Sequence, residues 1–253
     1  MENITHKARI VPAEILHIFN PNDLEHVANL IVEGQIIIIA FNGVYGIFGD
    51  ADNEDVAKKI LEIKCRPQDK NLVLVCLPEY LNEFVDENCH TLERYPLKKI
   101  ERLYKKAFAL GIILPANISN TPSHLVKNGT ILNIWTEYDP AQPIRTLINL
   151  VRGKGKRAFV GTSANKCGNP TFTDTNDVFE AFKHDVAAIL ADDFVSLPSF
   201  RKKSTSIIDL TRGTAILHRQ GNVMAEEIRE MFLELDFGSL IVNDSCIKVK
   251  SVQ

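Results

Sequence analysis

Three cations stand together in "KCRPQDKNLVLV", residues 64 to 75: Lys64, Arg66 and Lys70, placed before an apolar run that reads as a buried strand. In extended backbone, residues two apart face the same side, so Lys64 and Arg66 could address one anion. Arginine offers a planar fork to a carboxylate or phosphate, and lysine a mobile point charge. The alternative reading is a solvated helix C-terminus, where the helix dipole favours cations anyway. Three more stretches carry groups able to converge on a ligand. "FNGVYGIFGDADN" follows an apolar strand and supplies Gly43, Gly46 and Gly49, either for a close backbone approach to a ligand or for a plain strand-to-helix turn. "GTSANKCGNP" presents Ser163 and Asn165 in alternation between glycines, a composition that an ordinary turn would also explain. "RKKSTSIIDL" runs from Arg201, Lys202 and Lys203 into Ser204, Thr205 and Ser206, with Arg219 further on in "HRQG"; a basic run beside small hydroxyls suits phosphate, although charge runs are often solvated loops. The sequence contains no catalytic triad, no metal-ligand spacing and no activated nucleophile.

These loops are spaced by strands and helices in alternation. "QIIIIAF" and "NLVLVCL" are continuous apolar runs of the kind covered on both faces, and "GVYG" is expected to break the first. Residues 22–34 carry helical spacing behind an Asn/Asp cap and stop at Gly34; 53–63, 142–151, 175–184 and 224–235 repeat that periodicity. "PEYLNEFV" and "TLERYPLKKIERLYKKAFAL" are helical in character, and "GIILP", "TILNIW", "AFVGTS", "VAAILAD", "STSIIDL" and "TAILHR" read as strands. Alternation of this kind predicts an α/β fold built on a mixed sheet with helices on its faces, with ligands beyond the carboxyl ends of strands. Residues 1–253 are read as one domain with its core at about 15–236; residues 238–253 form a tail or an added edge strand.

Composition bounds the function. Lys+Arg 29 against Asp+Glu 32 gives a net charge of -3, short of the basic excess of a dedicated nucleic-acid binder, so any anion site is local. The mean hydropathy of -0.04 and 45% hydrophobic residues are those of a globular chain. No apolar stretch is long enough to cross a bilayer, and no leader pattern opens the chain. The 5 cysteines lack a C-x-x-C pair, which argues against a disulfide framework or zinc cage and for a reducing cytoplasm.

In this order the motifs resemble the YrdC family of L-threonylcarbamoyladenylate synthases, from roughly Ile15 to Leu235. "VYGIFGDADN" is similar to the family's V-Y-G-L-x-x-x-A-x-N, "KCRPQDKNL" to K-x-R-P-x-x-K-P-L, "TSANKCGNPTFTD" to the S-A-N-x-S-G loop, and "STSIIDLT" and "ILHRQG" to S-T-V-V-D and I-L-R-x-G. The resemblance implies an open twisted sheet with a concave, positively charged cavity. It also implies a nucleotidyltransferase combining L-threonine, bicarbonate and ATP, with Mg²⁺, into threonylcarbamoyl-AMP and pyrophosphate for tRNA modification. By match to those motifs, Lys64, Arg66 and Lys70 would hold carboxylate or phosphates, Ser163 and Asn165 the nucleotide and carbamate region, and Ser204 and Arg219 the phosphate side, with no protein nucleophile and no metal held by protein ligands. The sequence departs from the family at the strand-end P-T-[DE]-T-V-Y-G, where Ala40, Phe41, Asn42 and Gly43 stand. It departs again at W-P-G-P-L-T, whose threonine becomes Gly111, and at V-R-[VI]-P, whose arginine becomes Ile134 or Trp135. Two alternatives follow: a diverged nucleotide- or carbamoyl-adenylate-binding homologue with another substrate, and a non-catalytic module binding tRNA or double-stranded RNA through Arg152, Lys154, Lys156, Arg157 and Arg201 to Lys203.

Overall fold

The structure, a computed structural model, describes residues 11–41, 43–65, 72–107, 109–135, 143–165, 169–192 and 203–243. Among them the strands are β1 (Glu14–His17), β2 (Ile37–Phe41), β3 (Val44–Asp50), β4 (Val73–Val75), β5 (Leu110–Pro115), β6 (Thr130–Trp135), β7 (Phe159–Ser163), β8 (Ala188–Ala191), β9 (Ser206–Asp209), β10 (Ala215–Arg219) and β11 (Leu240–Val242). The helices are α1 (Pro21–Val32), α2 (Glu54–Ile63), α3 (Thr91–Arg94), α4 (Leu97–Lys106), α5 (Pro143–Gly153), α6 (Thr175–Phe182) and α7 (Ala225–Glu234), with 3-10 turns at Pro78–Glu83 and Ser123–Leu125. All the strands join one 11-stranded sheet in the order β1-β8-β2-β3-β7-β4-β6-β5-β9-β10-β11. Pairing is mixed: β2 and β3 are antiparallel, whereas β4 with β6 and β5 with β9 are parallel. The expected α/β architecture is present, and β11 extends one edge in parallel with β10.

Local chemistry sets several boundaries. Asn20, rather than the expected Asn22, caps α1: its side chain accepts from the Asn22 N–H, and Pro21 occupies the first turn, where no amide is needed. Asn53 caps α2 by accepting from Asp55 and Val56. Pro96 divides the long helical stretch into α3 and α4.

The largest correction concerns "GVYG", which continues the sheet instead of breaking it. Phe41 pairs with Val44, and Gly43 just before Val44 has φ +79°, so β2 and β3 form an antiparallel hairpin and the expected glycine-rich loop is strand β3 in mid-sheet. Gly46 is there for packing. A Cβ at Gly46 would lie 2.5 Å from the Phe48 ring, and one at Gly161 on the neighbouring β7 2.2 Å from it, so both leave room for that ring.

Strand β6 defines the two sides of the sheet. Ile131, Asn133 and Trp135 are buried, while Thr130, Leu132 and Ile134 are partly open. The buried side meets helices: Asn133 Nδ2 donates to Tyr104 Oη of α4 at 3.1 Å, and Arg145 of α5 lies 5.6 Å from the Trp135 ring centroid. The other side faces a cavity. No helix of the described residues is long and apolar enough to cross a membrane.

Candidate functional site

The cavity, of about 180 Å³, lies on the open face of the sheet and not only beyond strand ends. Its floor comes from strand residues that alternation turns to one side, Val73 and Val75 of β4 and Leu132 and Ile134 of β6. Strand ends supply the polar rim: Ser163 closes β7, Ser204 and Thr205 precede β9, and Arg219 closes β10. Of the residues expected to form a site, Ser163, Ser204 and Arg219 therefore share one cavity.

Lys64 is only 2% exposed, which rules out the solvated-terminus reading. It caps α2, and Cys65 follows with φ 49°, reversing the chain. Its ammonium donates to the Ser163 carbonyl oxygen and, at 2.7 Å, to Asn165 Oδ1; Ser163 Oγ lies 3.4 Å away. Ser163 Oγ donates to the same Asn165 oxygen at 2.7 Å, and Asn165 Nδ2 donates to the Asn169 carbonyl at 2.6 Å. One buried cation thus gathers the loop after β7 by the groups the sequence singled out. Arg66 and Lys70 lie outside the described residues, as do Cys167, Arg201 and Lys202.

Across the cavity, Arg219 Nε donates to the Thr205 carbonyl at 2.9 Å, and its terminal nitrogens bond no described residue. Desolvation by the surrounding walls lowers its pKa, yet a guanidinium remains charged at neutral pH. Two residues position this rim in a way that the sequence reading did not assign to them. Ser206 is fully buried; its hydroxyl donates to the Val223 carbonyl at 2.7 Å and accepts from the Gly221 and Val223 amides at 2.8 and 3.1 Å. Gly221 comes so close that an added Cβ would stand 1.9 Å from the Ser204 carbonyl oxygen. The run of hydroxyls in "STS" was the available signal: its third residue, Ser206, points inward and ties the turn together. Tyr45 also reaches the cavity, its hydroxyl 2.7 Å from Thr175 Oγ1; burial raises its pKa, and the Thr175 bond partly opposes this.

The basic run at 152–157 is internally neutralised. Arg152 pairs with Glu83 at 2.6 Å, Lys154 with Glu25 at 2.6 Å, Lys156 with Asp50 at 2.7 Å, and Arg157 with Asp52 through Nε at 3.1 Å. These cations brace the sheet against helices and turns. Among the described residues no cluster of His, Cys, Asp or Glu could hold a metal ion.

An open mixed sheet with a polar rim of hydroxyls and a guanidinium around one concavity is the class of protein these elements define. The Sua5/yciO/yrdC family model, described as telomere recombination, matches residues 29–221, and the chain belongs to this family. Threonylcarbamoyl-AMP synthase of Vibrio campbellii is 30% identical over 200 residues, spanning 79% of this chain and 99% of that protein. The synthase of Pyrococcus abyssi is 27% identical over 211 residues, 82% of this chain but 56% of that longer protein. Among solved structures, P. abyssi Sua5 complexed with L-threonine superposes with a TM-score of 0.73 at 22% identity, over 90% of this chain and 62% of that one. Escherichia coli YciO superposes at 0.68 with 18% identity, over 87% of this chain and 100% of that one.

Proposed function

We propose that the protein is a cytoplasmic nucleotidyltransferase of the threonylcarbamoyl-AMP synthase type, joining an amino-acid carbamate to the AMP portion of ATP in the cavity. L-Threonine is the amino acid that the name of its threonylcarbamoyl-AMP synthase relatives suggests; bicarbonate as the carbon source and tRNA modification as the use of the product are what the family resemblance implies. The observation that supports this reading is that Ser163 lines the same concavity as Ser204 and Arg219, with Lys64 and Asn165 bonded behind Ser163.

In the reaction, the amine adds to carbon dioxide from bicarbonate, giving a carbamate and releasing a proton. A carbamate oxygen attacks the α-phosphorus of ATP, the bond to the bridging oxygen breaks, and pyrophosphate leaves. The protein supplies no nucleophile; it aligns two anions and offsets their charge. Arg219 is placed to donate to phosphate oxygens, with the Ser204 and Thr205 hydroxyls beside it. Lys64 holds Ser163 and Asn165 so that hydroxyl and amide meet the nucleotide or carbamate. The described residues offer no acidic cage for Mg²⁺, which would enter with the triphosphate it neutralises.

The test is pyrophosphate release from ATP by the purified chain with Mg²⁺ and bicarbonate, with and without L-threonine or another amino acid. Amino-acid-dependent release supports the reading; absence of release and of nucleotide binding overturns it. Asn165→Ala is expected to weaken nucleotide binding about 2- to 10-fold, the loss of one ordinary hydrogen bond.

A further inference from the structure

Ser163, Ser204, Thr205 and Arg219 stand at the rim of the cavity, and the part of its lining that β4, β6 and β9 supply is hydrocarbon. Val73 and Val75 from β4, Leu132 and Ile134 from β6, and Ile207 from β9 face the same space, and Phe41 adds a wall. None of these side chains can donate or accept a hydrogen bond. Gly111 of β5 lies in register with Ile134 on one side and Ile207 on the other, and a Cβ there would already stand 3.2 Å from both Ile207 and Leu132. Phe41, Gly111 and Ile134 are positions where the sequence departs from the family motifs; in each case the residue present brings no polar side-chain group to this face. At the rim, Arg219 keeps its terminal nitrogens unpaired among the described residues. Such a site sorts a ligand by polarity, with an anionic end beside Arg219 and a hydrocarbon body on the floor.

We propose, resting on the reading that this cavity activates an amino-acid carbamate, that the amino acid is a branched aliphatic one of the valine or isoleucine class. A hydroxyl laid on this floor would give up its bonds to water and receive none, whereas a methyl group in the same place gains burial. Hydrophobic pockets separate such isosteres by about 10- to 100-fold. Adenine is a poorer occupant, because its ring nitrogens and amino group would face the same unresponsive side chains.

The experiment is calorimetric titration of the full chain with L-valine, L-isoleucine and L-threonine, alone and with ATP, alongside pyrophosphate release for each amino acid. Valine or isoleucine binding at least 10-fold tighter than threonine is expected, with release following the same order. Threonine binding equally or better overturns the inference and leaves the reaction class standing. Binding of valine over threonine without any pyrophosphate release supports the cavity's preference and counts against the reaction class; no amino-acid binding at all overturns the preference. Ile134→Thr is expected to narrow the valine-to-threonine ratio. A fall in ATP affinity with an unchanged ratio would instead seat the adenine on this floor and overturn the inference.

Discussion

Lys64 and Arg219 are cations of opposite kinds. Lys64 is buried and spends its ammonium on the Ser163 carbonyl and the Asn165 amide, 99 and 101 residues away in sequence. Removing it strips charge-assisted donors from part-buried acceptors and loosens the loop that carries Ser163. Lys64→Ala is therefore expected to lower unfolding stability by about 1.5–3 kcal/mol and to weaken nucleotide binding as well, measured by urea unfolding and by titration. Arg219 is exposed at the end of β10 and holds one backbone carbonyl. Arg219→Ala is expected to leave the urea midpoint nearly unchanged while reducing ATP affinity about 10- to 100-fold, the value of one charged hydrogen-bonding group. Equal losses in both measurements for both variants would show that the two cations play the same part.

At the scale of elements, the turn between β10 and α7 sets the height of the rim. The Asn222 amide donates to the Ser204 carbonyl at 2.9 Å, Asn222 Oδ1 accepts from the Ser206 amide at 3.1 Å, and Gly221 lies directly against Ser204. The close atom is backbone, which has no rotamer to change. Gly221→Ala is expected to cost about 1–3 kcal/mol by overpacking and to displace Ser204 and Thr205, so that melting temperature and ATP affinity fall together. A variant of full stability and full affinity would mean that the turn does not position the rim. The β2–β3 hairpin shows how an element can be legible yet misread. "NG" between apolar runs is a strong hairpin signal, but the glycines after it resemble loop composition until Phe48 is seen to need their space.

Across the whole molecule, charge is consumed internally. With Arg152, Lys154, Lys156 and Arg157 each held by a carboxylate, little basic surface remains in this run for phosphates. Any affinity for tRNA is expected to show a shallow dependence on salt; a slope corresponding to six or more phosphate contacts would restore the RNA-binding reading. His124 bridges distant segments, with Nε2 2.9 Å from the Ala51 carbonyl, which requires the tautomer that donates from Nε2. Desolvation lowers its pKa, opposed by that bond and by nearby carboxylates. A base whose folded pKa is lowered favours the unfolded chain when protonated. Its contribution is therefore full above the unfolded value of about 6.5 and is lost as pH falls through it. The urea midpoint is expected to decline between about pH 7.5 and 5.5 for this reason, and less so in His124→Gln.

Element order, the apolar strand runs, the Asn53 cap and the loops bearing Ser163, Ser204 and Arg219 were legible in the sequence, because periodicity and capping are properties of neighbouring residues. Tertiary structure alone decided where those loops meet. It assigned Ile134 to the cavity and Trp135 to the helices, a choice that "TILNIW" leaves open because apolar residues occupy both of its faces. It buried Lys64 against a strand 99 residues away and matched each cation of 152–157 to a carboxylate from another element. Such pairings depend on which strands lie side by side, and the order β3-β7-β4-β6 follows from long-range packing that no local pattern encodes.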